Sequence, residues 1–99
     1  MVTEIAVITI NPERHAQFEQ AVASAAPLFK GAPGCRSMAL AREIENPGRY
    51  RLIVEWETVE HHTEGFRNSE AFKEWRALVG PYFVVPPEVV HTALVAKHL

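Results

Sequence analysis

Two tryptophans and an adjacent histidine pair fall within one stretch, "VEWETVEHHTEGFRNSEAFKEWRALVGPYF" (residues 54–83). Imidazoles offer proton transfer near neutral pH or metal ligation, and aromatic side chains offer either a core or the walls of a ring-binding pocket. Metal ligation finds little support. His61 and His62 are adjacent on an expected helix, so their side chains diverge by about 100°. No His-Glu-x-x-His pairing occurs, and Cys35 is the only thiol, so a zinc motif is absent. His62 and Phe66 stand at i and i+4 on one helical face. If that face is buried, His62 is either a hydrogen-bonded structural histidine or a proton acceptor in a pocket. His91 shares a strand face with Val89, Ala93 and Val95 and carries the same two readings. His15 and His98 read as surface residues. Phe66, Phe72, Trp75, Tyr82 and Phe83 are core or pocket wall, and Arg76 is either a solvated or paired cation or a donor to a substrate oxygen.

The elements that would position these groups can be read from periodicity. Residues 2–10 ("VTEIAVITI") form an expected strand with Val2, Ala6, Ile8 and Ile10 on one face and Ile5 and Val7 on the other. A strand apolar on both faces expects cover on both. Asn11-Pro12-Glu13 has the form of an N-cap, an N1 proline and a first-turn acid. Phe18, Val22, Ala25 and Phe29 then make one helical stripe, with Pro27 expected to kink the helix or end it early. A breaker cluster, "KGAPGC", leads to a strand over 35–44 with Met38, Leu40 and Ile44 on one face. "ENPGR" (45–49) turns the chain into the clearest strand, 50–57, where Tyr50, Leu52, Val54 and Trp56 alternate with polar or outward residues. Thr58 caps a short helix through Phe66, and Ser69 caps a second carrying Phe72, Trp75, Val79 and Tyr82. Prolines 81, 86 and 87 end it, and 89–97 is the last strand.

The order β-α-β-β-α-β predicts an α+β, ferredoxin-like fold: a four-stranded antiparallel sheet with both helices on one face. The chain, residues 1–99, reads as a single domain. The open sheet face would carry Ile5, Val7, Ile53, Val90 and Leu94, and an exposed apolar patch of that kind marks an interface. A homodimer with sheets packed face to face is therefore expected. With 47% hydrophobic and 22% charged residues and a net charge of −2, the composition is globular and offers no basic surface for nucleic acid. Residues 1–10 lack the basic lead of a signal peptide, and no window is long and apolar enough to span a bilayer. A soluble cytoplasmic protein is the expectation. There is no Gly-x-Ser-x-Gly elbow, phosphate loop or dinucleotide fingerprint.

Trp56 at the end of the third strand, a short helix, and then "FRNSEAFKEWRALVGPYF" resemble the antibiotic biosynthesis monooxygenase superfamily. The "GAPGC" turn at 31–35 is similar to the turn that precedes strand two in that family. The resemblance runs over essentially the whole chain and implies a dimeric α/β barrel. Some members oxygenate phenolic or quinol rings with molecular oxygen and no cofactor, and others degrade heme. The resemblance to the heme-degrading branch fails at three positions. Phe66 stands where those relatives carry Trp, Arg76 where they carry the iron-ligating His, and Ala6-Val7-Ile8 where they carry a strand-one Asn. Quinol-oxygenating relatives commonly carry a histidine at the position of Phe66; here His62 lies one turn earlier on the same face.

The resemblance thus implies a monooxygenase taking a small aromatic substrate and molecular oxygen, with neither metal nor other cofactor, in a pocket between sheet and helices. His62 is the implied base or orienting partner and His91 the second candidate, while Arg76 would stabilise phenolate or oxyanion charge. Trp56, Phe66, Phe72, Trp75 and Tyr82 would wall the ring. Two alternatives expect no turnover. A ligand-binding or accessory protein would keep the pocket, whereas a purely structural dimer would close the aromatic face on itself.

Overall fold

The computed structural model describes residues 1–99 as β1 (Val2–Thr9), α1 (His15–Lys30), β2 (Cys35–Arg42), β3 (Arg49–Trp56), a π-helix (His61–Phe66), α2 (Glu70–Val79) and β4 (Glu88–Thr92). The four strands form one antiparallel sheet in the order β2-β3-β1-β4, the ferredoxin-like arrangement. No helix is long and apolar enough to cross a membrane.

Register decides which residues meet. Across β1 and β3, Ala6 stands opposite Leu52, Ile8 opposite Tyr50 and Glu4 opposite Val54. These positions share the face that α1 covers with Phe18, Val22, Ala25 and Phe29, all buried. Phe18 packs on Tyr50 with ring centroids 4.9 Å apart, and Phe29 meets Trp75 edge-on at 4.9 Å. Each such side chain removed from water stabilises the fold by roughly 1.5–3 kcal/mol. The opposite face carries an apolar row, Ala39–Ile53–Ile5–Val90, that crosses all four strands.

Four expectations need correction. Pro27 does not end α1, which runs on to Lys30. Proline removes one helical donor, but the fully buried Phe29 anchors the last turn and Gly31 N–H still reaches Pro27 O at 3.1 Å. Strand β2 stops at Arg42, so Ile44 is 89% exposed rather than on the Met38–Leu40 face. The ladder closes there because Glu43 N–H bonds Arg49 O at 2.8 Å and the next residues turn. Strand β4 ends at Thr92 rather than 97, because its β1 partner at that point is Thr3, one residue from the strand's start. Leu94 therefore lies beyond the sheet, not on its open face. The short helix after Thr58 is a π-helix, a rare form frequent at functional sites.

Gly34 sets that π-helix against the sheet. It adopts φ +81°, the left-handed region that glycine enters without steric cost, and its carbonyl accepts Glu57 N–H at 2.8 Å. A Cβ there would lie 2.8 Å from His61 Cβ and closer still to the imidazole ring. Gly34→Ala is therefore expected to destabilise the fold by ~1–2 kcal/mol from backbone strain, with a steric penalty added. Urea unfolding checks this, and Gly34→Ala/His61→Ala should recover only the part of the steric penalty that the imidazole ring causes. A double variant no more stable than Gly34→Ala would show that the His61 clash is not the cause.

Candidate active site

A carboxylate stands where the alternation of β1 demands an apolar group. Glu4 shares the helix-facing side with Ala6 and Ile8 and is 4% exposed. Burying a charge without partners is costly, and Glu4 has two neighbours within reach of one oxygen. Trp56, the last residue of β3, donates its indole N–H to Glu4 Oε1 at 3.0 Å. His62 Nε2 lies 3.3 Å from the same Oε1. No hydrogen bond engages Oε2, and no sealed side-chain oxygen lacks a partner, so Oε2 keeps some exposure on a residue that lines the adjacent cavity.

His62 is placed from three sides. Its ring stacks on Trp56 at 5.4 Å and 18°, and its Nδ1 hydrogen-bonds His91 Nε2 at 2.8 Å. His91 reaches it from β4, where it is paired with Glu4 across the ladder. The π-helix is held at its start by His61 N–H donating to Thr58 Oγ1 at 3.2 Å, and across its length by Arg67 N–H donating to His62 O at 3.0 Å. Ser69 then caps α2, accepting from Phe72 N–H at 3.2 Å.

Burial pushes the Glu4 carboxyl up, against the lowering pull of the Trp56 hydrogen bond and the Arg67 charge. Burial also lowers His62 to about 4, reinforced by Arg67 and His91. His91 is lowered by burial and then by Arg67. Desolvation thus disfavours the charged form of each group: it makes the Glu4 carboxylate the more ready proton acceptor and holds both imidazoles neutral beside it.

Glu4 and His62 line a cavity of about 560 Å3. Ala6, Ile8 and Leu52 contribute sheet-side walls, and Phe66, Phe72 and Trp75 contribute aromatic ones. The segment Phe83–Pro87 lies along another side, tied to β1 by Val84 N–H donating to Thr9 O at 2.8 Å. Such a volume suits a small multi-ring ligand, and an aromatic face closed on itself would leave no room of this kind.

The structure thus brings together His62, His91, Phe66, Phe72, Trp75 and Arg76 around or beside one space. It does not bring Trp56 to the wall. That ring is fully buried behind His62 and supports the site rather than facing it. Tyr82 lies elsewhere, edge-on to Phe18 at 5.9 Å with Arg14 over its ring. Arg76 sits 5.9 Å over the Phe72 ring with no carboxylate partner, and Arg67, likewise unpaired, joins it at the cavity. Sequence reasoning named Phe83 but missed Glu4, Arg67 and the 84–87 part of the wall. Glu4 was detectable as a lone acid on an apolar strand face. Arg67 and the wall left no periodic signal.

The family model for antibiotic biosynthesis monooxygenase matches residues 1–78. The uncharacterized protein YczJ of Bacillus subtilis (strain 168) is 41% identical over 91 residues, covering 92% of this chain and 96% of that protein. A Bordetella bronchiseptica crystal structure named for the same monooxygenases is 52% identical, with TM-score 0.94 over 96% of this chain and 97% of its own. SnoaB of Streptomyces nogalater, described as a cofactor-independent oxygenase, shares the fold at TM-score 0.79 and 20% identity, over 97% of this chain and 94% of that one.

The lowered His62 has a signed consequence. The unfolded chain binds a proton there below about 6.5, whereas the folded chain resists until about 4. Between those values His62 makes the fold less stable as pH falls, His91 acts in the same direction, and the raised Glu4 opposes both. Nitrogen-detected NMR of the imidazoles should find His62 neutral through the physiological range, titrating only near 4. A His62 midpoint near 6.5 would contradict the buried placement.

Proposed function

The chain belongs to the antibiotic biosynthesis monooxygenase family, and from that premise we propose that it oxidises a phenolic or quinol-like aromatic compound with molecular oxygen, without a cofactor. The observation that carries this reading is the opening of a buried carboxylate–imidazole pair onto an apolar, aromatic-walled cavity. A ring held there loses its hydroxyl proton to the Glu4–His62 pair. The resulting phenolate is electron-rich enough to pass an electron to oxygen. Where the ring carbon opposite the hydroxyl bears hydrogen, the net change is phenol plus dioxygen to quinone plus water. One oxygen atom enters the ring, the other leaves as water, and the substrate supplies all four electrons.

The neighbouring residues have roles consistent with that chemistry. Phe66, Phe72 and Trp75 hold the ring and exclude water from reactive intermediates. Arg76 and Arg67, both unpaired and at the cavity, stabilise the anion that deprotonation leaves. His91 orients His62 through the 2.8 Å hydrogen bond. The chain works as a homodimer, its partner covering the Ala39–Ile53–Ile5–Val90 row.

Oxygen uptake by metal-stripped protein against a panel of anthrones and naphthoquinols tests the reading. Catalysed uptake that leaves one atom of labelled dioxygen in the product is expected, reduced by ~10²-fold or more in His62→Ala. Tight binding of panel members with no uptake would instead favour a binding protein of the same fold.

A further inference from the structure

We propose that Glu4, through Oε2, is the atom that takes the substrate's proton, and that His62 and His91 are positioning residues for it. The inference rests on the proposed phenolic substrate and adds the identity of the base. His62 Nδ1 is committed to His91, and the ring's other nitrogen is turned toward Glu4 Oε1. Glu4 lines the cavity, is 4% exposed as a residue, and keeps one oxygen without a hydrogen-bond partner.

The division of labour between the two carboxylate oxygens suits a group that changes charge. As an anion, Glu4 accepts the Trp56 indole N–H at Oε1, with His62 Nε2 beside it. When Oε2 takes a proton, Oε1 becomes a carbonyl oxygen and still accepts the same donor. The phenol O–H bond breaks, the new O–H bond forms on Glu4 Oε2, and the electron pair stays on the phenolate oxygen. No neighbour has to rearrange, which is the condition for a preorganised base. Burial, the largest influence on this carboxyl, makes it a stronger base than an ordinary glutamate, whereas the same burial makes His62 a weaker one.

The polar, charged and titratable groups around Glu4 come from five elements. Trp56 approaches from β3, His62 and Arg67 from the π-helix and its end, His91 from β4, and Arg76 from α2 along the same cavity. Cys35 on β2 feels the Glu4 charge in turn. Only the two guanidiniums are fixed cations, so deprotonation moves negative charge from Glu4 to the substrate within a pocket that already holds its counter-charge.

The test uses 4-nitrophenol, whose neutral and ionised forms absorb at different wavelengths, without oxygen and at a pH where it is mostly neutral in water. Wild-type protein is expected to bind it as the phenolate, with the infrared carbonyl band of a protonated carboxylic acid appearing on binding. In Glu4→Gln, which keeps an acceptor for the Trp56 N–H, the bound phenolate fraction should fall roughly tenfold or more and the band should be absent. His62→Gln should keep more of the ionisation than Glu4→Gln does. Full ionisation in Glu4→Gln, or its loss in His62→Gln alone, would overturn the assignment. Should Glu4→Gln fail to fold, the wild-type infrared band decides alone, its absence on phenolate formation overturning the proposal. Ionisation without oxygen uptake on the anthrone and naphthoquinol panel would keep Glu4 and remove the oxygenase. Uptake with no ionisation would do the reverse, and failure of wild-type protein to bind the phenol would remove both.

Discussion

A single buried carboxylate organises this molecule. Glu4 occupies a core position of β1, where little water reaches and an isolated charge would cost several kcal/mol. That cost is contained by what surrounds it. The Trp56 indole gives it a hydrogen bond, the His62 ring gives it a polar neighbour, and Arg67 gives it a favourable field. Each of these imposes a demand elsewhere. Trp56 must end β3 in the register that sets Val2 opposite it, and His62 must lean back over the sheet far enough to stack on that indole. The π-helix supplies the reach. Its wider turn carries His62 and Phe66 inward together, and both are buried. Gly34 in turn leaves the space into which the neighbouring His61 fits.

The packing of α1 explains why a cavity exists beside this carboxylate. Helix α1 sets Phe18 on Tyr50 and Phe29 near Trp56, so its aromatic weight falls on β3. The side of the sheet nearer β4 is left to the π-helix, α2 and the 83–87 segment, which stand back from Ala6, Ile8 and Val89 to form the cavity. Val79 and Trp75 turn into the core from α2, while Phe72 and Arg76 on the same helix reach the open space. One helix thereby serves stability and site together. The proline pair at 86–87 limits chain freedom in that wall without needing a strand ladder.

Most of the architecture was legible in the sequence because its elements are strongly periodic. The alternation of Tyr50, Leu52, Val54 and Trp56 and the Phe18–Phe29 stripe each permit one orientation of their element. The errors came at ends, where tertiary pairing overrides local preference: β4 outruns its partner after Thr92, and α1 tolerates Pro27 because Phe29 is anchored. For the site, His62 was legible from its i, i+4 relation to Phe66, and His91 from its strand face. Their hydrogen bond was not, since nothing local reports the approach of the π-helix to β4. Tyr82 shows the opposite failure. Helical spacing put it with Trp75, but the chain tightens after Val79 into a 3₁₀ turn at Gly80–Tyr82, and the ring swings toward Phe18. Glu4 stands out as a lone acid on an apolar strand face, but alternation alone does not say whether such an acid is buried with partners or turned to solvent.

The electrostatics of the site follow from one variable, the amount of water left in the cavity. Desolvation is the first cause of the shift at Glu4, His62 and His91, and it strengthens the carboxylate as a base while it keeps both imidazoles neutral. An aromatic ligand entering the cavity displaces water from Oε2 and deepens the same effect. The group that must accept a proton thus becomes more basic when a proton donor of the right shape arrives, and the histidines beside it are driven further from the charged form that would compete for counter-charge. Arg67 sets the upper limit. Its charge lowers all three groups, and at Glu4 it tempers the rise that burial causes. The apolar wall strengthens the carboxylate as a base while the guanidinium at its rim favours its charged form, and the π-helix delivers the histidine and that arginine from its two ends.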